Sequence, residues 1–275
     1  MLAPLRTAGR PTALPAPAPR PAPWFFALAY LAGMTLAEVL VALVDARWGV
    51  PLHALILLTL LWHGARAPHA EQRFYWSLTL APLIRILSLS LPLGGFPLIW
   101  WYVIISAPLF LTVAVAARTL GYGPAELGLR WCWRHLPAHL AVGLLGFPLG
   151  LVEYLILRPL PLATEFTASA VWLPAAILLV STGFQEELIF RGLMQRAAAS
   201  LFGRWTGPLL ITTLFAVLHI GYRSWSDLAF VLLAGGLFAL VAGRTGSIWG
   251  VTLAHGAVNA TLFLVAPFLI GAPRL

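Results

Sequence analysis

Nine apolar runs, each separated from the next by a short polar break, constrain this chain more than any other feature. They lie at about 24–44, 49–63, 74–93, 97–117, 136–157, 171–190, 207–222, 227–243 and 247–269. About 20 apolar residues in a helix cross the roughly 30 Å hydrocarbon core of a bilayer. Backbone groups in lipid must also be satisfied internally, which favours helices. Of the 275 residues, 60% are hydrophobic and 9% are charged, against about 25% charged in soluble domains. One soluble core cannot hide that much apolar surface. The expected fold is therefore all-α: a polytopic transmembrane bundle of eight or nine spans, the count resting on the short second and seventh runs.

The formal net charge of +8 comes from seventeen arginines, with no lysine in the chain. Taking the runs as alternating spans, Arg6, Arg10, Arg20, Arg66, Arg73, Arg118, Arg130, Arg134, Arg191, Arg196, Arg204 and Arg244 fall on one side. Arg47, Arg158, Arg223 and Arg274 fall on the other. Short arginine-rich loops stay in the cytoplasm, so the N-terminus is expected there. Nucleic-acid binding would call for a basic face on a folded soluble domain, and the sequence offers no such domain. The single cysteine, Cys132, leaves no intramolecular disulfide and no cysteine-based zinc cage.

The chain divides into three parts on this reading. Residues 1–23, rich in Pro, Ala and Arg, form a flexible cytoplasmic tail. Residues 24–134 form an accessory bundle ending in an interfacial segment, 118–135. That segment carries Gly121-Tyr122-Gly123-Pro124 and is read as a loop with a short amphipathic helix, its tryptophans at headgroup level. Residues 135–275 form the bundle that carries the chemistry.

Ionisable groups inside apolar spans are costly and mark functional sites by default. The first cluster is Glu186-Glu187-Leu188-Ile189-Phe190-Arg191. On a helix Glu187 and Arg191 stand four apart and can pair, while Glu186 points about 100° away. One carboxylate is thus held and the other is free to act as a base; a structural salt bridge at a helix end is the competing reading. The second is Phe215-Ala216-Val217-Leu218-His219, where a lone histidine equally suits an interhelical hydrogen bond. The third is His255-Gly256-Ala257-Val258-Asn259. Its two polar side chains share a helix face and can both donate to an oxyanion. Small Gly256 and Ala257 admit a close neighbour. Glu38, Arg85 and Glu153 are read as structural partners across the accessory bundle.

These three clusters, in this order, resemble the CPBP family of intramembrane proteases, which includes the CAAX prenyl endopeptidases and bacteriocin-processing proteins. The family pattern of Glu-Glu-x-x-x-Arg, Phe-x-x-x-His and His-x-x-x-Asn is matched without substitution over roughly residues 135–270. The resemblance implies a helical core enclosing a site in the membrane. It also implies that Glu186 activates water with His219 assisting, that His255 and Asn259 stabilise the oxyanion, and that Glu187, Arg191 and Phe215 support them. It further implies a membrane-anchored protein or peptide substrate, prenylated and CAAX-like or carrying a bacterial sorting signal, and cut near its C-terminus. No cofactor is expected. A zinc-dependent version, using Glu186, His219 and His255, stays open, although the His-Glu-x-x-His helix of zinc proteases is missing. The Ala- and Arg-rich composition points to a bacterial cell membrane. A non-catalytic membrane binding or immunity protein of the same family is the alternative.

Overall fold

A computed structural model describes residues 22–271, so all but the last two residues of the expected tail lie outside the described part. Among the described residues, seven helices are long and apolar enough to cross a membrane. They are α1 (Pro23–Val44), α2 (Ala46–Arg66), α5 (Leu98–Thr119), α6 (Trp133–Leu157), α7 (Ala168–Phe202), α9 (Trp225–Thr245) and α10 (Trp249–Ile270). The chain is a multi-pass integral membrane protein.

Two of the nine runs do not become membrane-length apolar helices. The run at 74–93 folds as α3 (His69–Leu78) and α4 (Leu80–Ser90), which meet at Thr79. Because α3 begins with His69, Glu71, Gln72 and Arg73, its first turns are polar. The run at 207–222 is the shorter apolar helix α8 (Thr206–Tyr222). In the other direction, α7 runs twelve residues beyond the apolar run at 171–190. Its last two turns, Gln195–Phe202, are amphipathic and bury Ala197 and Ala198. The segment before α6 contains no interfacial helix. Residues 120–132 form turns and extended chain, and only Trp133–His135 make a short helical turn leading into α6. The open backbone at Gly121 and Gly128, both at positive φ, accounts for this, since such conformations interrupt helices. Trp133 is nonetheless exposed at the fold's edge.

Side-chain capping sets two helix starts. Asp45 accepts from the Arg47 backbone N–H at 2.7 Å to open α2, and Ser224 accepts from Asp227 N–H at 3.2 Å to open α9. Buried residues from Ala27 to Val258 form one continuous core that runs through both the N-terminal helices and the C-terminal bundle. Within the N-terminal part, Glu38 of α1 lies 3.0 Å from His53 of α2 and 2.5 Å from Arg85 of α4. That pairing agrees with the structural reading of Glu38 and Arg85.

The arginine-bearing loops gather as the alternating assignment requires. Arg73 lies over the Tyr122 ring at 4.8 Å, Arg196 Nη2 donates to Gly246 O at 3.0 Å, and Ile248 N–H donates to Gly128 O at 3.1 Å. At the other end, Leu40–Val44 packs against Ile220–Tyr222, which places the neighbourhoods of Arg47 and Arg223 together.

Candidate active site

The site is built where α7 loses its regular winding. The helix widens to π-type turns over Leu179–Phe184 and Leu188–Met194, on either side of Gln185–Glu187. Such wide turns inside α-helices recur at functional sites. Here they bracket Glu186 and Glu187. Side-chain contacts fix the segment: Gln185 Nε2 donates to Ser106 O of α5 at 2.8 Å, and Gln195 Nε2 donates to Ala239 O of α9 at 2.9 Å.

Close approach of α10 brings the remaining groups. A Cβ on Gly183 would sit 2.8 Å from Gly256 N, and one on Gly256 would sit 2.5 Å from Leu179 Cδ1. Two facing glycines therefore set the α7–α10 separation, which is how small residues serve helix contacts in membranes. This contact sets His255 against both carboxylates. His255 Nδ1 lies 2.8 Å from Glu187 Oε1 and its Nε2 lies 3.9 Å from Glu186 Oε2. Since an ionised carboxylate only accepts, Nδ1 is the donor to Glu187. The same Glu187 oxygen accepts from Arg191 Nη1 at 3.1 Å. Arg191 also donates to Gly235 O at 3.1 Å and lies 4.5 Å from the Phe215 ring centroid.

Glu186 is placed differently. It lines a cavity of about 100 Å³ together with His219, His255, Asn259 and Phe215, a space that holds several waters. Its side chain is 30% accessible, whereas that of Glu187 is fully buried. On α8, His219 Nδ1 donates to Phe215 O at 2.8 Å. In the neutral ring that leaves Nε2 as an acceptor. Asn259 Nδ2 donates to Thr182 Oγ1 at 2.8 Å, with one N–H remaining. The structure thus gathers all four residues expected to carry the chemistry around one cavity, with Glu187 and Arg191 behind it.

Among the described residues no three His, Cys, Asp or Glu side chains are grouped closely enough to hold a metal ion.

The family model of Rce1-like type II CAAX prenyl endopeptidases matches residues 168–261. Over that segment the chain is similar to the Rce1-like family. It is a protease family, and the matched segment runs from the start of α7 through Asn259. No curated protein and no solved structure matches the chain.

Four cavity residues lie outside the matched segment, Leu262 and Phe263 just past its end and two from other helices. Tyr102 of α5 and Glu153 of α6 both line the space beside Glu186. Glu153 thus corrects its sequence reading: it takes no part in the Glu38–Arg85 pairing, because α6 packs against α10 and turns the carboxylate toward the cavity. Thr182 was not singled out in the sequence. Its signal is position, since it stands one turn before Glu186 and so shares its face. Tyr222, at the end of α8, completes that wall. The α9 residues lining the cavity run from Phe230 to Phe238, so the cavity extends toward the Tyr222 end of the bundle, away from the Arg244 end.

Proposed function

We propose that the chain is an intramembrane endopeptidase in which Glu186 activates a water molecule against a peptide bond. The single observation that carries this reading is the convergence of Glu186, His219, His255 and Asn259, from three helices, on one cavity. Glu186 is the carboxylate without a fixed partner, so it is the one free to take a proton. The 3.9 Å between Glu186 Oε2 and His255 Nε2 exceeds a direct hydrogen bond, and one water can serve both groups. His219, its Nδ1 committed to Phe215 O, offers Nε2 as the second acceptor for that water.

Attack forms the C–O bond and places negative charge on the former carbonyl oxygen. Asn259 donates its remaining N–H to that oxygen. His255 donates through Nε2 in its imidazolium form, with Glu187 as the adjacent counter-ion. Collapse breaks the C–N bond, and the proton taken by Glu186 passes to the leaving amine. Glu187 and Arg191 position His255 and do not touch substrate. No metal enters this scheme, and chelator treatment of the purified enzyme is expected to leave the rate unchanged. Loss of activity with EDTA and recovery on adding zinc would move the reading to the zinc-dependent version.

The family match and the membrane setting support a substrate class. It is a membrane-associated protein cut near its C-terminus, prenylated and CAAX-like or bearing a bacterial sorting signal. The enzyme sits in a bacterial cell membrane with its arginine-rich end, and its N-terminus, in the cytoplasm. In proteoliposomes Glu186→Gln, His219→Ala and His255→Ala each abolish cleavage while insertion is unchanged. Removal of one oxyanion donor typically costs about 10²–10³ in rate, and Asn259→Ala is expected to fall in that range. Function in cells that survives Glu186→Gln, with no cleavage in proteoliposomes, would favour a non-catalytic binding protein.

A further inference from the structure

Behind the site, on the other face of α8 and α9, two cavities adjoin. The first, about 380 Å³, lies among Tyr122, Arg191, Gln195, Arg196 and Arg204. The second, about 820 Å³, is a groove between α8 and α9 whose walls include Trp205, Leu209, Leu232 and Leu233. They share Arg204, Pro208 and Gly243 as walls, and Arg244 borders the groove at the same end. Gly236 and Gly243 open the groove by presenting no side chain.

Its two ends differ in chemistry. At the first, the Arg191 charge is already balanced by Glu187, and the carboxylate of Glu126 is held by Gly123 N–H at 2.7 Å. Arg196 and Arg204 line the cavity with that one carboxylate, Arg244 borders the adjoining groove, and Arg73 stands over Tyr122 nearby. Arg196 donates Nη2 to Gly246 O, yet its Nε is buried with no partner among the described residues. A buried guanidinium N–H without an acceptor is costly, and a phosphate oxygen is the acceptor its fork geometry suits. At the second end the walls are apolar and open to lipid: Leu209 is 63% and Leu233 74% exposed. From Leu232 to Gly243 the groove runs roughly 16 Å at 1.5 Å per residue, close to one leaflet of a core about 30 Å thick.

We infer that this is a binding site for an anionic phospholipid. Its phosphodiester sits on Arg196 and Arg204, and one acyl chain lies in the α8–α9 groove. Basic pockets between helices recognise anionic headgroups in this way, while the groove's one-leaflet depth separates a lipid from a free anion. The assignment does not rest on the proteolytic reading: Glu186, His219, His255 and Asn259 do not line the site, and Arg191, which does, is already paired with Glu187.

The test is binding of phosphatidylglycerol, phosphatidylcholine and glycerol phosphate to the delipidated full-length protein, read by native mass spectrometry. Phosphatidylglycerol is expected to bind saturably, about one per chain, with the other two far weaker. The exposed Arg204→Gln, which leaves packing intact, and Arg196→Gln each weaken it by about fivefold. Gly236→Leu fills the groove, where the nearest atom to an added Cβ is Thr212 Cγ2 at 3.9 Å, and also weakens it. Arg134→Gln, in the first turn of α6 and lining neither cavity, is expected to change nothing. Equal retention of phosphatidylcholine, glycerol phosphate competing as strongly as the lipid, or wild-type lipid binding by Arg204→Gln would each overturn the assignment. So would an equal loss in Arg134→Gln.

Discussion

Glu187 Oε1 accepts from both His255 Nδ1 and Arg191 Nη1, while Glu186, one residue earlier, faces open space. Substitution should separate their roles. Glu187→Ala leaves the buried Arg191 guanidinium without its counter-charge, and breaking a buried pair from one side costs about 3–5 kcal/mol. Glu186→Ala breaks no such pair, so the folded protein should melt close to wild type in detergent. Equal destabilisation by the two would contradict this division. Thr182→Val keeps the side-chain shape but removes the acceptor that orients Asn259. It is expected to lower the cleavage rate about tenfold, less than loss of an oxyanion donor itself, with folding retained. The Glu187–Arg191 pair was legible from its spacing of four on one helix. That Glu187 takes the His255 hydrogen bond, and that Glu153 joins the cavity, was not, because spacing along one helix says nothing of which neighbour packs on it.

Facing glycines and wide turns control the geometry at the level of the helix. The Gly183–Gly256 contact lets α7 and α10 approach so that His255 reaches Glu187, and overpacking a close contact typically costs about 1–3 kcal/mol. Gly183→Val should therefore lower stability by an amount in that range and reduce activity more than stability alone explains. A variant that keeps the wild-type rate would show that the spacing does not set the site. Small Gly256 and Ala257 announced a close neighbour in the sequence, but the partner glycine on α7 came only with the fold. Helix ends were less legible than helix centres. α3 starts five residues before the apolar run at 74–93, in polar sequence, and α7 continues through Arg191, Gln195 and Arg196 because Ala197 and Ala198 pack inward. Mean hydropathy, which fixes spans by composition, registers neither.

One main core joins the N-terminal helices to the C-terminal bundle. Phe74 of α3 and Trp24 of α1 both pack against Phe202 at the end of α7, so the N-terminal helices bury the end of the helix that carries Glu186. A chain starting at residue 133 exposes those faces and is expected to be degraded in cells. Accumulation of an active fragment would show that the C-terminal bundle stands alone. The arginine distribution along the sequence anticipated which loops gather at one end, since charge sets the side of short loops; the segment 120–132 was harder, as its glycines favour turns over the amphipathic helix its pattern suggested. The central claim is proteolysis at Glu186, and mass spectrometry of protein termini tests it most directly. Cells carrying wild-type protein, Glu186→Gln or no protein are compared for the C-terminal ends of their membrane-anchored proteins. The account predicts a truncated terminus that appears only with wild type; identical termini in all three, at equal expression, would contradict it.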